Sequence, residues 1–163
     1  MKKIVLAYSG GLDTSYCLKK LSREGNEVHA VNINTGGFTI IEIEKMKEKA
    51  FKLGAHSFIS INSVYSFYEK IIKFLIYGNV LRNNTYPLSV SSERTIQAIK
   101  IAKYANQPSA SHIAHGSTGA GNDQVRFDSI FQILAPNKKI ITPIRDSSLS
   151  RQNEIDYLLK SGV

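Results

Sequence analysis

Short apolar, β-rich runs alternate along the chain with stretches of helical apolar spacing, and the switches predict its elements. Lys3 to Tyr8 is an apolar, β-rich run that ends in the turn signal Ser9-Gly10-Gly11. From Asp13 to about Arg23 the apolar positions Tyr16, Leu18 and Leu21 fit a helix, and Gly25-Asn26 ends the pattern. A second strand is predicted over Glu27–Ile33, a helix over Ile40–Leu53 with Gly54 as its stop, and a third strand over Ser57–Ile61. Asn62-Ser63 then opens a helix to about Tyr77, followed by a polar loop over residues 78 to 87. The remainder reads as a helix over Leu88–Tyr104, a strand over His112–His115, a helix over Asn122–Leu134 and a strand over Lys139–Thr142. A loop over Pro143–Ser150 and a helix over Gln152–Lys160 close the chain.

Strands that alternate with helices in this way form βαβ units. The expected fold is therefore α/β, a doubly wound parallel sheet of about five strands with helices on both faces, in the Rossmann-like style. Such sheets bind ligands beyond the carboxyl ends of their strands. The loops at Ser9–Asp13, Asn34–Gly37, Tyr86–Ser92 and Gly116–Asp123 are the places to look. With 163 residues and no linker or repeat, one domain is expected.

Composition narrows the setting. One cysteine, Cys17, excludes an internal disulfide framework and a Cys-based zinc cluster, and its helical position reads as a small buried residue rather than a nucleophile. No apolar run approaches the roughly 18 residues of a membrane span. The apolar stretch behind Met1-Lys2-Lys3 ends too soon for a signal peptide. A reduced, cytoplasmic location is the expectation. The net charge of +8 favours anionic partners, but the lysines are spread out rather than gathered in a stripe, so charge alone does not choose among them.

Ser9-Gly10-Gly11-Leu12-Asp13-Thr14-Ser15 joins the first strand to the first helix. Its glycines let backbone N–H groups approach a ligand closely, and the helix N-terminus behind them favours phosphate. Ser9, Thr14 and Ser15 add hydroxyls, while Asp13 suits a Mg²⁺ ion or a helix cap. Two other phosphate loops are excluded. Gly116 and Gly121 have Walker spacing, but Asn122-Asp123 stand where Lys-Ser/Thr is required. Gly119-Ala120-Gly121 opens a dinucleotide fingerprint that position 124, a glutamine, does not complete.

Ala7-Tyr8-Ser9-Gly10-Gly11-Leu12-Asp13-Thr14-Ser15 resembles the loop of the N-type ATP pyrophosphatases, of the adenine nucleotide alpha hydrolase-like fold. The stretch from His115 through Gly116-Ser117-Thr118-Gly119-Ala120-Gly121-Asn122-Asp123-Gln124-Val125-Arg126 to Phe127 resembles the signature of the argininosuccinate synthases. Tyr86-Pro87-Leu88-Ser89-Val90-Ser91-Ser92-Glu93-Arg94 resembles that family's citrulline loop. The resemblance implies ATP-dependent ligation of citrulline with aspartate through a citrullyl-adenylate, releasing AMP and pyrophosphate, in arginine biosynthesis. It implies ATP and Mg²⁺ as cofactors, with residues Ala7 to Ser15, Ile33 and Gly116 on the nucleotide and Mg²⁺ near Asp13. Tyr86, Ser91, Asn122 and Arg126 would bind citrulline; Thr118, Asn122 and Asp123 would bind aspartate. No catalytic residue is assigned.

Taken singly, Tyr86 also reads as a loop aromatic, Arg126 as a surface arginine and Asp123 as a helix-dipole partner. His112 and His115, with no carboxylate or thiol near them in sequence, read as structural. Three positions depart from the family pattern: Ala120 replaces its usual lysine, Ile33 an alanine, and Ser89-Val90 a Gly-Thr pair. The family also implies a second, C-terminal synthetase domain outside these residues and a tetramer for the whole enzyme, so the chain alone is expected to turn over poorly or not at all. Small-molecule partners are implied rather than membrane or nucleic acid. A stand-alone ATP-binding module and a tRNA-modifying N-type ATP pyrophosphatase are the alternative readings.

Overall fold

A computed structural model describes residues 1–107 and 110–162. Strand β1 (Lys3–Ala7) leads through α1 (Leu12–Arg23) to β2 (Glu27–Asn34), and α2 (Ile40–Leu53) leads on to β3 (Ser57–Asn62). Helix α3 (Val64–Phe67), a π-helical turn over Tyr68–Ile72 and α4 (Lys73–Tyr77) follow, then the short strands β4 (Leu81–Arg82) and β5 (Tyr86–Pro87). Next come α5 (Ser89–Asn106), β6 (His112–Ala114), α6 (Asp123–Leu134), β7 (Lys139–Ile141), α7 (Pro143–Asp146) and α8 (Arg151–Lys160).

The main sheet has five strands in the order β3-β2-β1-β6-β7, every pair parallel. Chain direction across the sheet reverses between β1 and β6, and this is its switch point. Alternate residues of β1 feed opposite cores, as a period of two requires. Ile4 and Leu6 pack with Leu18, Leu21, Met46, Ile144 and Leu158 under α1, α2, α7 and α8. Val5 and Ala7 pack with Ala98, Ile101, Phe127 and Phe131 under α5 and α6. Helices therefore cover both faces, as the alternating pattern predicted. The fully buried Phe131 anchors the second core, where truncation to alanine costs about 3–5 kcal/mol.

Three local features differ from expectation. The segment read as a polar loop contains the hairpin β4–β5. Its Thr85 N–H donates to the Arg82 carbonyl at 3.2 Å, and Asn83 (φ 53°) and Asn84 (φ 56°) take the left-handed conformations of a type I′ turn. The segment read as a loop over Pro143–Ser150 contains α7, with Pro143 at its start, where no backbone N–H is needed. The predicted helix to Tyr77 is present but widens into a π-turn at its middle, and none of its three sections has a buried residue. Tyr65, Phe74, Ile76 and Tyr77 stay exposed along it.

Candidate functional site

The carboxyl ends of β1, β2 and β6 open into a cleft of about 580 Å³ at the switch point. Its floor begins where β1 runs into the glycine turn. Gly10 sits at φ +76°, and a Cβ there would lie 3.0 Å from the Met46 side chain, so the position needs glycine. Lys49 of α2 donates to the Gly10 carbonyl at 2.8 Å and holds the turn from behind. Gly11 caps α1 without a side-chain hydrogen bond, which leaves the first-turn N–H groups available to a ligand. Ser9 and Thr14 approach each other through their hydroxyls at 3.2 Å.

Gly116 closes the floor from the β6 side. A Cβ on it would lie 3.3 Å from the Asp13 carbonyl carbon, so the two loops touch through backbone. The loop after β6 is shaped by a chain of polar contacts. Ser117 N–H donates to His115 Nδ1 at 3.2 Å, which leaves the Nε2–H to donate to Asp128 Oδ1 at 2.9 Å. Arg145 donates to Asp128 at 2.6 Å and to Gln124 at 3.0 Å, and Gln124 donates to the Gly119 carbonyl at 2.6 Å. Burial lowers the His115 pKa, with its Asp128 partner only partly offsetting it, so the ring stays neutral near pH 7. Burial also pushes the Asp128 carboxyl upward, but Arg145 and His115 outweigh it and hold the group below its usual range. The expectation that His115 lacks a carboxylate neighbour is corrected: Asp128 lies 13 residues on but one turn into α6, facing the ring.

Helix α5 forms the far wall. Arg94 donates to Asp123 Oδ2 at 3.3 Å and to Gln97 at 3.0 Å, while Arg126 pairs with Asp123 Oδ1 at 2.8 Å. Glu93 accepts from Thr35 at 2.5 Å and from Gln97 at 3.1 Å, tying the loop after β2 to α5. Opposite, α8 packs on α1 with Tyr157 edge-on to Tyr16 at 5.0 Å. Its Glu154 is only 2% exposed. Burial, and then the Asp13 carboxylate beside it, push the Glu154 carboxyl up to about 7.

Ala7, Tyr8, Ser9, Gly11, Leu12, Asp13, Thr14, Ile33, Gly116, Thr118 and Asp123 all line the cleft. Gly10 turns away against Met46, and Ser15 is fully buried beneath the loop. Asn122 and Arg126 instead line a shallower depression of about 390 Å³ between α5 and α6. Tyr86 is exposed on the hairpin, and Ser91 donates to the Leu88 carbonyl at 3.0 Å in the first turn of α5. The structure thus gathers the loops at 7–14 and 116–123, but not Tyr86 and Ser91. Sequence reasoning missed Lys49, Glu93, Arg94, Gln97, Asp128, Arg145, Arg151 and Glu154. Among these only Glu93 and Arg94 fell within a stretch that drew notice.

The fold and its cleft define a doubly wound α/β domain with an open cleft between two strand-to-helix glycine loops. Residues 3–163 match the family model described as the arginosuccinate synthase N-terminal HUP domain, and the chain belongs to the argininosuccinate synthase family through that domain. It is 42% identical over 161 residues to the argininosuccinate synthase of Hyperthermus butylicus and 44% identical over 161 residues to that of Lactiplantibacillus plantarum. These matches cover 98% and 99% of this chain but only 40% and 39% of the relatives, so it spans about two fifths of their length. Among solved structures, a 4-thiouridine synthetase–RNA complex with bound ATP is similar at TM-score 0.70 and 16% identity, over 98% of this chain and 40% of that one. A predicted subunit of tRNA methyltransferase from Methanocaldococcus jannaschii is similar at TM-score 0.64 and 18% identity, over 98% and 76%. At those identities the likeness concerns the fold alone. No helix among the described residues is long and apolar enough to cross a membrane.

Proposed function

We propose that this chain is the ATP-binding part of an enzyme that joins citrulline to aspartate while ATP is cleaved to AMP and pyrophosphate. The observation that carries the reading is the convergence of Ser9–Thr14 and Gly116 in one cleft at the switch point, within a chain of this family. The backbone contact between Gly116 and Asp13 leaves no room for side chains, as a site for a close-fitting polyphosphate requires.

ATP supplies a phosphoryl electrophile and a good leaving group; the residues supply position and charge. The N–H groups of the glycine turn and the α1 N-terminus would bind phosphate oxygens, and Asp13 would hold the Mg²⁺ that accompanies them. Ile33 offers backbone to the adenine, so its departure from alanine changes the pocket wall and leaves the contact. Asp123 and Thr118 receive the aspartate, with Asp123 on its ammonium. Arg126 and Asn122 take the citrulline carboxylate end, with Arg126 able to bind it bidentately. Tyr86 and Ser91 complete that subsite once the hairpin and the start of α5 approach the cleft. The activity belongs to the longer enzyme, a cytoplasmic homo-oligomer of arginine biosynthesis.

Calorimetric titration of Mg²⁺-ATP, then citrulline, then aspartate tests the reading. Binding of ATP should fall at least about tenfold in Asp13→Ala, as expected for losing a charged contact. In a chain extended by the rest of the enzyme, citrulline binding should be lost in Arg126→Ala. A folded chain that binds no ATP sinks the proposal; strong AMP production by these residues alone overturns the assignment of turnover to the longer enzyme.

A further inference from the structure

The cleft has two cationic side chains in its lining, Arg94 and Arg151. They differ in what they already hold. Arg94 is engaged by Glu93, Gln97 and Asp123. Arg151 is exposed and has no ion pair or hydrogen bond among the described residues. It also occupies an unfavourable place. As the first residue of α8 it sits at the positive end of a helix macrodipole, where acidic residues are preferred and a cation is penalised. The helix needs no help from it, because Ser150 already caps the N-terminus through the Asn153 N–H. A residue that opposes its own local environment without an internal partner points to a ligand.

The seating of α8 supplies the direction. Glu154, one turn on from Arg151, is buried against Asp13 of the glycine loop, and Tyr157 is fixed between Tyr16 and the Arg23 guanidinium at 5.7 Å. Both contacts fasten α8 to the helix that begins at the phosphate loop. Arg151 lines the cleft, and its charge acts on the Glu154 carboxyl beside Asp13, which puts it at the Asp13 end. Among the described residues its lining has no lysine, Lys49 being held behind the turn on the Gly10 carbonyl, and position 120 in the facing glycine loop is an alanine.

We propose that Arg151 binds the terminal phosphates of the nucleotide and the pyrophosphate derived from them. The assignment rests on the ATP reading given above and adds to it the cation that the glycine loops lack. A guanidinium can take two oxygens of one phosphate or bridge two phosphates, which a single backbone donor cannot do. AMP, which lacks those phosphates, should be insensitive to it.

The test is equilibrium titration of ATP, pyrophosphate and AMP, each with Mg²⁺, into the wild-type chain and into Arg151→Ala and Arg151→Lys. Circular dichroism and thermal unfolding would verify that each variant is folded; the exposed site at a helix start should tolerate both changes. Arg151→Ala is expected to weaken ATP and pyrophosphate roughly tenfold or more while AMP stays within about twofold. Arg151→Lys should recover part of the loss, since it keeps the charge without the fork. Unchanged ATP and pyrophosphate affinities in Arg151→Ala overturn the assignment and leave the ATP reading standing. Equal losses for ATP and AMP also overturn it, because the effect would then not follow the phosphates. A folded wild-type chain that binds neither ATP nor pyrophosphate overturns both.

Discussion

The two ends of the cleft are built on opposite plans. At the glycine-loop end α1 has no side-chain cap, and Arg151 has no ion pair or hydrogen bond among the described residues. At the other end the charges are already spent on one another, with Asp123 held by both Arg94 and Arg126. The first end can receive an anion by giving up only the long contacts among Ser9, Gly11 and Thr14, at 3.2–3.4 Å. The second must exchange internal ion pairs for the charges of its ligand. That exchange is inexpensive, because Asp123 is 45% exposed and its partners 35% and 29%, and such pairs contribute at most about 1 kcal/mol. A zwitterion suits it well. On the proposed function, its ammonium would replace the arginines on Asp123, and its carboxylate would take an arginine so released.

The largest effect should come from breaking the contact that joins the two plans. Gly116→Val places side-chain atoms against the Asp13 backbone and must push the loops apart, at a cost of about 1–3 kcal/mol. Mg²⁺-ATP affinity should fall about tenfold or more in a titration, with a lower unfolding midpoint. Retained affinity would mean that the loops need not touch.

A smaller effect is confined to the glycine-loop end. Glu154 has its pKa raised from 4.5 to about 7, so between those values the folded chain holds a proton that the unfolded chain has released. Its contribution to stability is complete below 4.5, falls as pH rises through that window and levels off above about 7. His112 and His115, whose pKa values are lowered, act in the opposite sense, losing stability as pH falls. The difference between wild type and Glu154→Gln isolates the glutamate. In thermal unfolding from pH 4.5 to 8.5 the variant should gain on the wild type as pH rises. Parallel curves would refute the shift.

The smallest effect should come from the paired end. Asp123→Asn is expected to leave Mg²⁺-ATP affinity within about twofold and stability within about 1 kcal/mol, since only exposed pairs are lost. Aspartate binding to the extended enzyme should nevertheless disappear. A large loss of ATP affinity would show the two ends to be coupled.

What was legible in the sequence is what depends on neighbours along the chain. Ser9-Gly10-Gly11 declares a turn because two glycines and a helix start are contiguous, and Ile4-Val5-Leu6 declares a strand buried on both sides. The hairpin at 81–87 had a signal, Asn83-Asn84, that was passed over because its strands are too short to show alternation. Lys49, Asp128, Arg145 and Arg151 were not legible. Each acts on a loop 25 or more residues away in sequence or through a partner on another helix, and only the packing of α2, α6, α7 and α8 brings them there. The unequal treatment of the two loops followed. The first loop is made mainly by its own residues with Lys49 added from α2, the second mainly by residues of α6 and α7.

The strand order also governs when the cleft comes into being. β1 is synthesised first yet lies in the middle of the sheet, and its second neighbour starts at His112, paired with Ile4. At translation rates of about 5–20 residues per second, one edge of β1 waits on the order of ten seconds for that partner. Until then β1, β2 and β3 can make only half of the sheet, and the β1 edge that will meet β6 has no partner. Because the cleft lies at the junction of β1 and β6, it is absent from the half-sheet and appears when the sheet closes. A ligand bound there acts as a latch on that last closure, stabilising the completed domain by mass action and doing nothing for its precursor.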